Sequence, residues 1–81
     1  MNTRKDYQPI MIEGSKITSR ERECMELVMQ GYNYKEIASL MGFKNNLPVN
    51  SLMARLHDKT GCNSMLKLAI KATKYLTINN Q

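Results

Sequence analysis

The stretch NYKEIASLMGFKNNLPVNSLMARLHDKTG, Asn33 to Gly61, decides the fold of this chain. It holds two helical signals of unequal length separated by a turn. Asn33 is placed to accept the backbone N–H of Glu36 while the Glu36 carboxylate reaches back to Asn33, the reciprocal capping that opens a helix. Ile37, Ala38 and Met41 then give a short apolar stripe, which Gly42 closes, so the spacing predicts a two-turn helix over 34–41. In Lys44-Asn45-Asn46-Leu47-Pro48 the asparagines favour a turn, and proline suits a first helical turn because its missing N–H would go unpaired there. A longer helix is predicted from about Leu47. Its apolar residues Val49, Leu52, Met53 and Leu56 recur at i, i+3, i+4, i+7, and it stops at Gly61.

The flanking sequence adds a helix on each side. Thr18-Ser19-Arg20-Glu21 reads as a second capping box, opening a helix over about 19–30 with Cys24, Leu27 and Val28 on one face, Met25 and Met29 widening it, and Gly31 beyond its end. Asn63 or Ser64 caps a fourth helix running to about Leu76, with Met65, Leu68, Ala69, Ala72 and Leu76 as its core stripe. That helix carries two further stripes: Leu66, Ile70 and Thr73 about a quarter-turn from the core, and Lys67, Lys71 and Lys74 on the polar side. Residues 1–16, with Pro9 and Gly14 and no sustained period, are expected to form an N-terminal tail or arm, and 78–81 a C-terminal tail. With no strand pattern and no internal repeat, the expected architecture is one all-α, four-helix domain over 17–77.

Charge separates the two halves of the 81-residue chain. Up to Ile37, six basic residues face six acidic ones; beyond it Lys44, Arg55, Lys59, Lys67, Lys71 and Lys74 face Asp58 alone, which accounts for the net charge of +5. A one-sided cationic surface favours polyanions, nucleic acid first among them, through counterion release. No apolar run approaches the roughly 18 residues of a membrane span, and no leader-like apolar segment follows the first residues. The fourth helix has lysines but no tryptophan or phenylalanine to anchor it on a membrane surface. Cys24 and Cys62 are too few for a disulfide scaffold, so a reduced, cytoplasmic protein is expected, with both cysteines serving as packing. With His57 as the one histidine, zinc lacks a fourth ligand at usable spacing. There are no paired carboxylates, no glycine-rich phosphate loop and no nucleophile–base constellation, so neither an enzyme nor a cofactor is expected.

A two-turn helix, a turn and a longer amphipathic helix make a helix-turn-helix, whose second helix enters a DNA major groove. Three groups of residues then carry a family resemblance: Ile17-Thr18-Ser19-Arg20-Glu21-Arg22-Glu23, Gly31-Tyr32-Asn33-Tyr34-Lys35-Glu36-Ile37-Ala38, and Lys59-Thr60-Gly61. In this order the chain resembles the DNA-binding domain of LuxR-type transcription factors, the GerE- or NarL-like helix-turn-helix, from Ile17 to about Thr77. The resemblance implies a bacterial or phage transcriptional regulator that binds duplex DNA with its third helix. It also implies that the fourth helix pairs with its counterpart in a second subunit, which puts Leu66, Ile70 and Thr73 at the seam of a homodimer.

Two departures fall in the DNA-reading part. Where the family's recognition helix opens with threonine, valine, lysine, any residue and histidine, this chain has Pro48-Val49-Asn50-Ser51-Leu52, without the lysine, and the Lys44–Leu47 turn holds one extra residue. Opposite the apolar stripe of the third helix lie Leu47, Ser51, Ala54 and Asp58, flanked by Asn50 and Arg55. On a groove, Arg55 suits guanine O6 and N7, Asn50 or Asn46 suits adenine, and Ala54 a thymine methyl; Ser51 stands among them, and Leu47 and Asp58 are poor neighbours for phosphate. Lys35, Lys44 and Lys59 are the candidate phosphate contacts. The expectation is a stand-alone DNA-binding regulator. The competing one is an adaptor or anti-activator that pairs with a related transcriptional regulator through the fourth helix and does not read DNA.

Overall fold

In the computed structural model, which describes residues 7–79 and the side chains of residues 7–76, every helix begins or ends on local capping chemistry. Residues 1–6 of the expected arm and 80–81 of the expected C-terminal tail lie outside the described residues. Helix α1 (Ser19–Met29) starts at Thr18, whose hydroxyl accepts the Glu21 N–H at 3.2 Å while its own N–H donates to Glu21 Oε1 at 2.9 Å. Helix α2 (Tyr34–Leu40) repeats the box with Asn33 and Glu36 at 2.8 and 2.9 Å. Helix α3 (Leu47–Thr60) ends at Gly61, whose φ of 74° supplies the left-handed step. Of the two residues offered as cap for α4 (Met65–Asn79), Ser64 takes the role: its hydroxyl accepts the Lys67 N–H at 3.1 Å. The helix also runs past Leu76 into the expected C-terminal tail.

The expectation of an all-α domain is corrected by a two-stranded antiparallel sheet. Strands β1 (Ile10–Ile12) and β2 (Ser15–Ile17) pair Ile10 with Ile17 and Ile12 with Ser15, in a stretch that the sequence reading assigns to a tail. Glu13 and Gly14 form the two-residue turn with φ of 50° and 86°, the double positive that matches strand twist in a tight hairpin. Because side chains alternate, Ile12 and Ile17 reach the core and are fully buried, while Met11 points outward.

The core is assembled around α1, which packs on α3 and α4; α2 and β2 both lean on α3. Met25, Ile37, Met41, Val49, Met53, Leu56, Leu68 and Leu76 fill it, together with the two hairpin isoleucines. The predicted apolar stripe of α3 is buried throughout, which leaves Leu47, Asn50, Ser51, Ala54, Arg55 and Asp58 exposed on its far side.

Candidate nucleic-acid interface

Three residues of α1 brace the helix-turn-helix. Arg20 is the clamp: Nη2 donates to the Met41 carbonyl at 3.2 Å, Nη1 donates to Glu23 Oε1 at 3.0 Å, and the guanidinium lies 4.9 Å from the Phe43 ring centroid. A planar cation that bonds along its edge and stacks on its face suits the closing of α2 against its turn. The carboxylate of Glu23 is nearly buried and anchors the guanidinium from α1.

Glu21 holds the other end of α3. Its carboxylate, 2% exposed, accepts from Lys59 Nζ at 2.8 Å and from the Thr18 N–H. Burial pushes this carboxyl's pKa up, but the Lys59 and Thr18 hydrogen bonds and the Lys59 charge outweigh it, so Glu21 stays below its ordinary value. Lys59 donates once more, to the Lys16 carbonyl at 2.9 Å, which stitches α3 to β2. The structure thus places Lys59 apart from the other candidate phosphate contacts. Its ammonium is engaged at the α1–α3–β2 junction rather than open to a ligand.

The remaining candidates lie on the exposed face of α3 and around the turn that precedes it. Leu47, Ser51, Ala54 and Asp58 make the outermost ridge of α3, with Asn50 and Arg55 on its flanks. Lys35 of α2 and Lys44 of the turn line an open depression with Ser39, Phe43, Asn46 and Leu47, beside the first turn of α3. Among the described residues no ion pair engages Lys35, Lys44 or Arg55. In the turn, Asn45 Oδ1 accepts the Leu47 N–H at 2.9 Å, and Asn46, the N-cap position, makes no cap bond with its side chain. The Asn46 side chain is exposed.

On α4, Leu66 is 70% exposed and Ile70 59%, and Thr73 lies on the same strip with its hydroxyl bonded to the Ala69 carbonyl at 2.8 Å. Of the three lysines on the polar side, Lys71 is tied to other elements of the fold: Nζ donates to Glu13 Oε1 at 2.8 Å and to the Thr60 carbonyl at 2.9 Å. The hydrogen bond from Lys71 holds the Glu13 carboxyl below its ordinary range and raises the lysine in turn.

Cys24 and Cys62 are both buried, and burial with Glu23 and Glu21 nearby pushes the Cys24 thiol up to about 12, so it packs as a neutral group against Met53. No three His, Cys, Asp or Glu side chains come together to hold a metal ion among the described residues. What the sequence reading did not find are the Arg20–Phe43 clamp, the Glu21–Lys59 bridge and Leu40, 53% exposed at the end of α2. The first two link residues 23 and 38 positions apart, beyond any local pattern.

Comparison with curated proteins and with solved structures gives no match. The family model GerE, bacterial regulatory proteins of the luxR family, matches residues 15–72, from β2 to midway along α4. Arg20, Glu21 and Glu23 thus lie within the matched span and tie its helix-turn-helix together. With well over half of its length matched, this chain belongs to the luxR family of bacterial regulatory proteins.

Proposed function

We propose that the chain acts as a transcriptional regulator of bacterial or phage origin, in the cytoplasm. It binds duplex DNA through α3 in the major groove, as a homodimer joined through Leu66, Ile70 and Thr73 of α4, and has no enzymatic activity or cofactor. One observation carries this reading above the rest. The exposed face of α3 presents Asn50, Ser51, Ala54 and Arg55, and Leu47 of that face borders the depression lined by Lys35, Lys44 and Asn46; among the described residues the two lysines and Arg55 have no internal ion-pair partner. Base-reading groups on a helix, flanked by cations at phosphate reach, are the two contact classes that groove recognition needs.

The adaptor reading draws on different residues. Leu66, Ile70 and Leu47 are the most exposed large apolar side chains described, and Asp58 adds a negative charge to the ridge. Charge reversal separates the two. Under the DNA-binding reading, Arg55→Glu lowers affinity for promoter-derived duplex by at least about 100-fold, since it replaces an attraction with a repulsion in the groove. Fluorescence anisotropy between about 50 and 200 mM salt measures it, with a steep salt dependence expected of the unmodified chain. A folded sample that binds no duplex even at low salt sinks the regulator reading and favours a protein partner for α4.

A further inference from the structure

The ridge of α3 has a composition odd for a surface meant to meet a polyanion. Leu47 opens the helix 69% exposed, and Ala54 presents its methyl on the same ridge two turns later. Asn46 and Asn50 flank Leu47 with primary amides, and Arg55 is the single cation on the ridge and its flanks. Among the described residues nothing buries Leu47, because the core lies on the opposite side of the helix.

Base edges distinguish these groups. A primary amide carries a donor and an acceptor side by side, which matches adenine N6 and N7; guanine shows two acceptors there and calls for a cation. An apolar side chain in the major groove finds one apolar partner, the C5-methyl of thymine. Two amides and two apolar groups therefore ask for A·T pairs, and one guanidinium for a G·C pair. Placement agrees with chemistry: Asn46, Leu47 and Asn50 all fall in or beside the first turn of α3, the part of a recognition helix that reaches base edges first. Asn46 sits at the N-cap with a helical backbone and makes no cap bond, and Pro48 at the second helical position has no N–H to offer it.

We infer that the half-site read by α3 is rich in A·T pairs and that Leu47 selects a thymine through its methyl group, an inference that rests on the DNA-binding reading above. Asn46 and Asn50 recognise adenine, and Arg55, two turns further along, recognises a guanine toward the edge of the half-site.

Three short duplexes test it by anisotropy: alternating A·T, alternating G·C, and the A·T duplex with every thymidine replaced by deoxyuridine, which removes the methyls and keeps the pairing. The protein and its Leu47→Ala variant are compared at one salt concentration. Alanine at this exposed helical position leaves the fold intact, which circular dichroism verifies. The A·T duplex is expected to bind about tenfold or more tighter than the G·C duplex. Loss of the methyls weakens binding about fourfold or more, the scale of one methyl removed from water. Leu47→Ala reduces that thymine-over-uracil ratio, and the cycle of protein and DNA changes cancels effects of duplex shape. Equal affinity for all three duplexes overturns the inference and leaves DNA binding standing. A thymine preference unaltered in Leu47→Ala overturns the role of Leu47, and a folded protein that binds none of the three overturns both readings.

Discussion

Glu21 is an ionised group almost without water, and its stability contribution depends on both hydrogen bonds that it accepts. A buried carboxylate without partners costs several kcal/mol; here Lys59 and the Thr18 amide offset that cost. Glu21→Gln keeps the shape and one acceptor but leaves the Lys59 ammonium facing a neutral amide. Because the Lys59 side chain is 29% exposed and keeps some hydration, the expected loss is about 1–3 kcal/mol, below the cost of breaking a fully buried pair. Urea denaturation at neutral pH measures it. Its pH dependence follows from the lowered carboxyl. A folded-state pKa below the unfolded one gives stability that is complete above the unfolded value of about 4.3 and is lost as pH falls through the folded value. The stabilities of the two proteins should therefore converge in acid and stand apart at pH 7. A gap of constant size across that range would assign the loss to packing.

At the scale of elements, the hairpin is the piece whose local chemistry conflicts with its conformation. Glu13 occupies a left-handed φ of 50°, where a residue with a long side chain pays about 1–2 kcal/mol. Its compensation is the ion pair with Lys71, which is screened by solvent and contributes little. The backbone term is the larger. Glu13→Asn, which makes the Asn-Gly pair favoured in such turns, is expected to stabilise the domain by about 0.5 kcal/mol, visible as a higher Tm; a lower Tm would show that the Lys71 link outweighs the strain. The same conflict explains why these strands were illegible in the sequence. Ile10-Met11-Ile12 and Ser15-Lys16-Ile17 are too short to establish an alternation, and Glu-Gly is a poor hairpin signal beside Asn-Gly. The helices were legible because their caps are contacts three residues apart: Thr18 with Glu21, Asn33 with Glu36, Ser64 with Lys67. The exposed ridge of α3 followed from periodicity alone. Which lysines stay free did not, since Lys59 and Lys71 are claimed by Glu21 and Glu13, residues of other elements.

For the molecule as a whole, those internal claims change what its charge can do. Of the six basic residues beyond Ile37, Lys59 and Lys71 are engaged internally, so on the proposed DNA-binding reading each chain brings few cations to a DNA backbone, with Lys44 and, from α2, Lys35 the best placed beside α3. Two phosphate contacts per subunit give a log–log salt slope near −2, and four in a dimer near −4, by about 0.9 per contact. Two subunits paired through α4 would also set their α3 helices on half-sites about one helical turn apart, so affinity and specificity both depend on pairing. Leu66→Asp with Ile70→Asp is the direct test, because both side chains are exposed and an aspartate at each leaves the core untouched while placing like charges across the seam. The expected outcome is a folded monomer by sedimentation, a large loss of affinity for a duplex carrying two half-sites, and a salt slope cut by about half. If the unmodified chain sediments as a monomer and the double variant binds the same duplex with the same slope, α4 is no dimer seam. The exposed apolar strip of Leu66 and Ile70 would then belong to another partner.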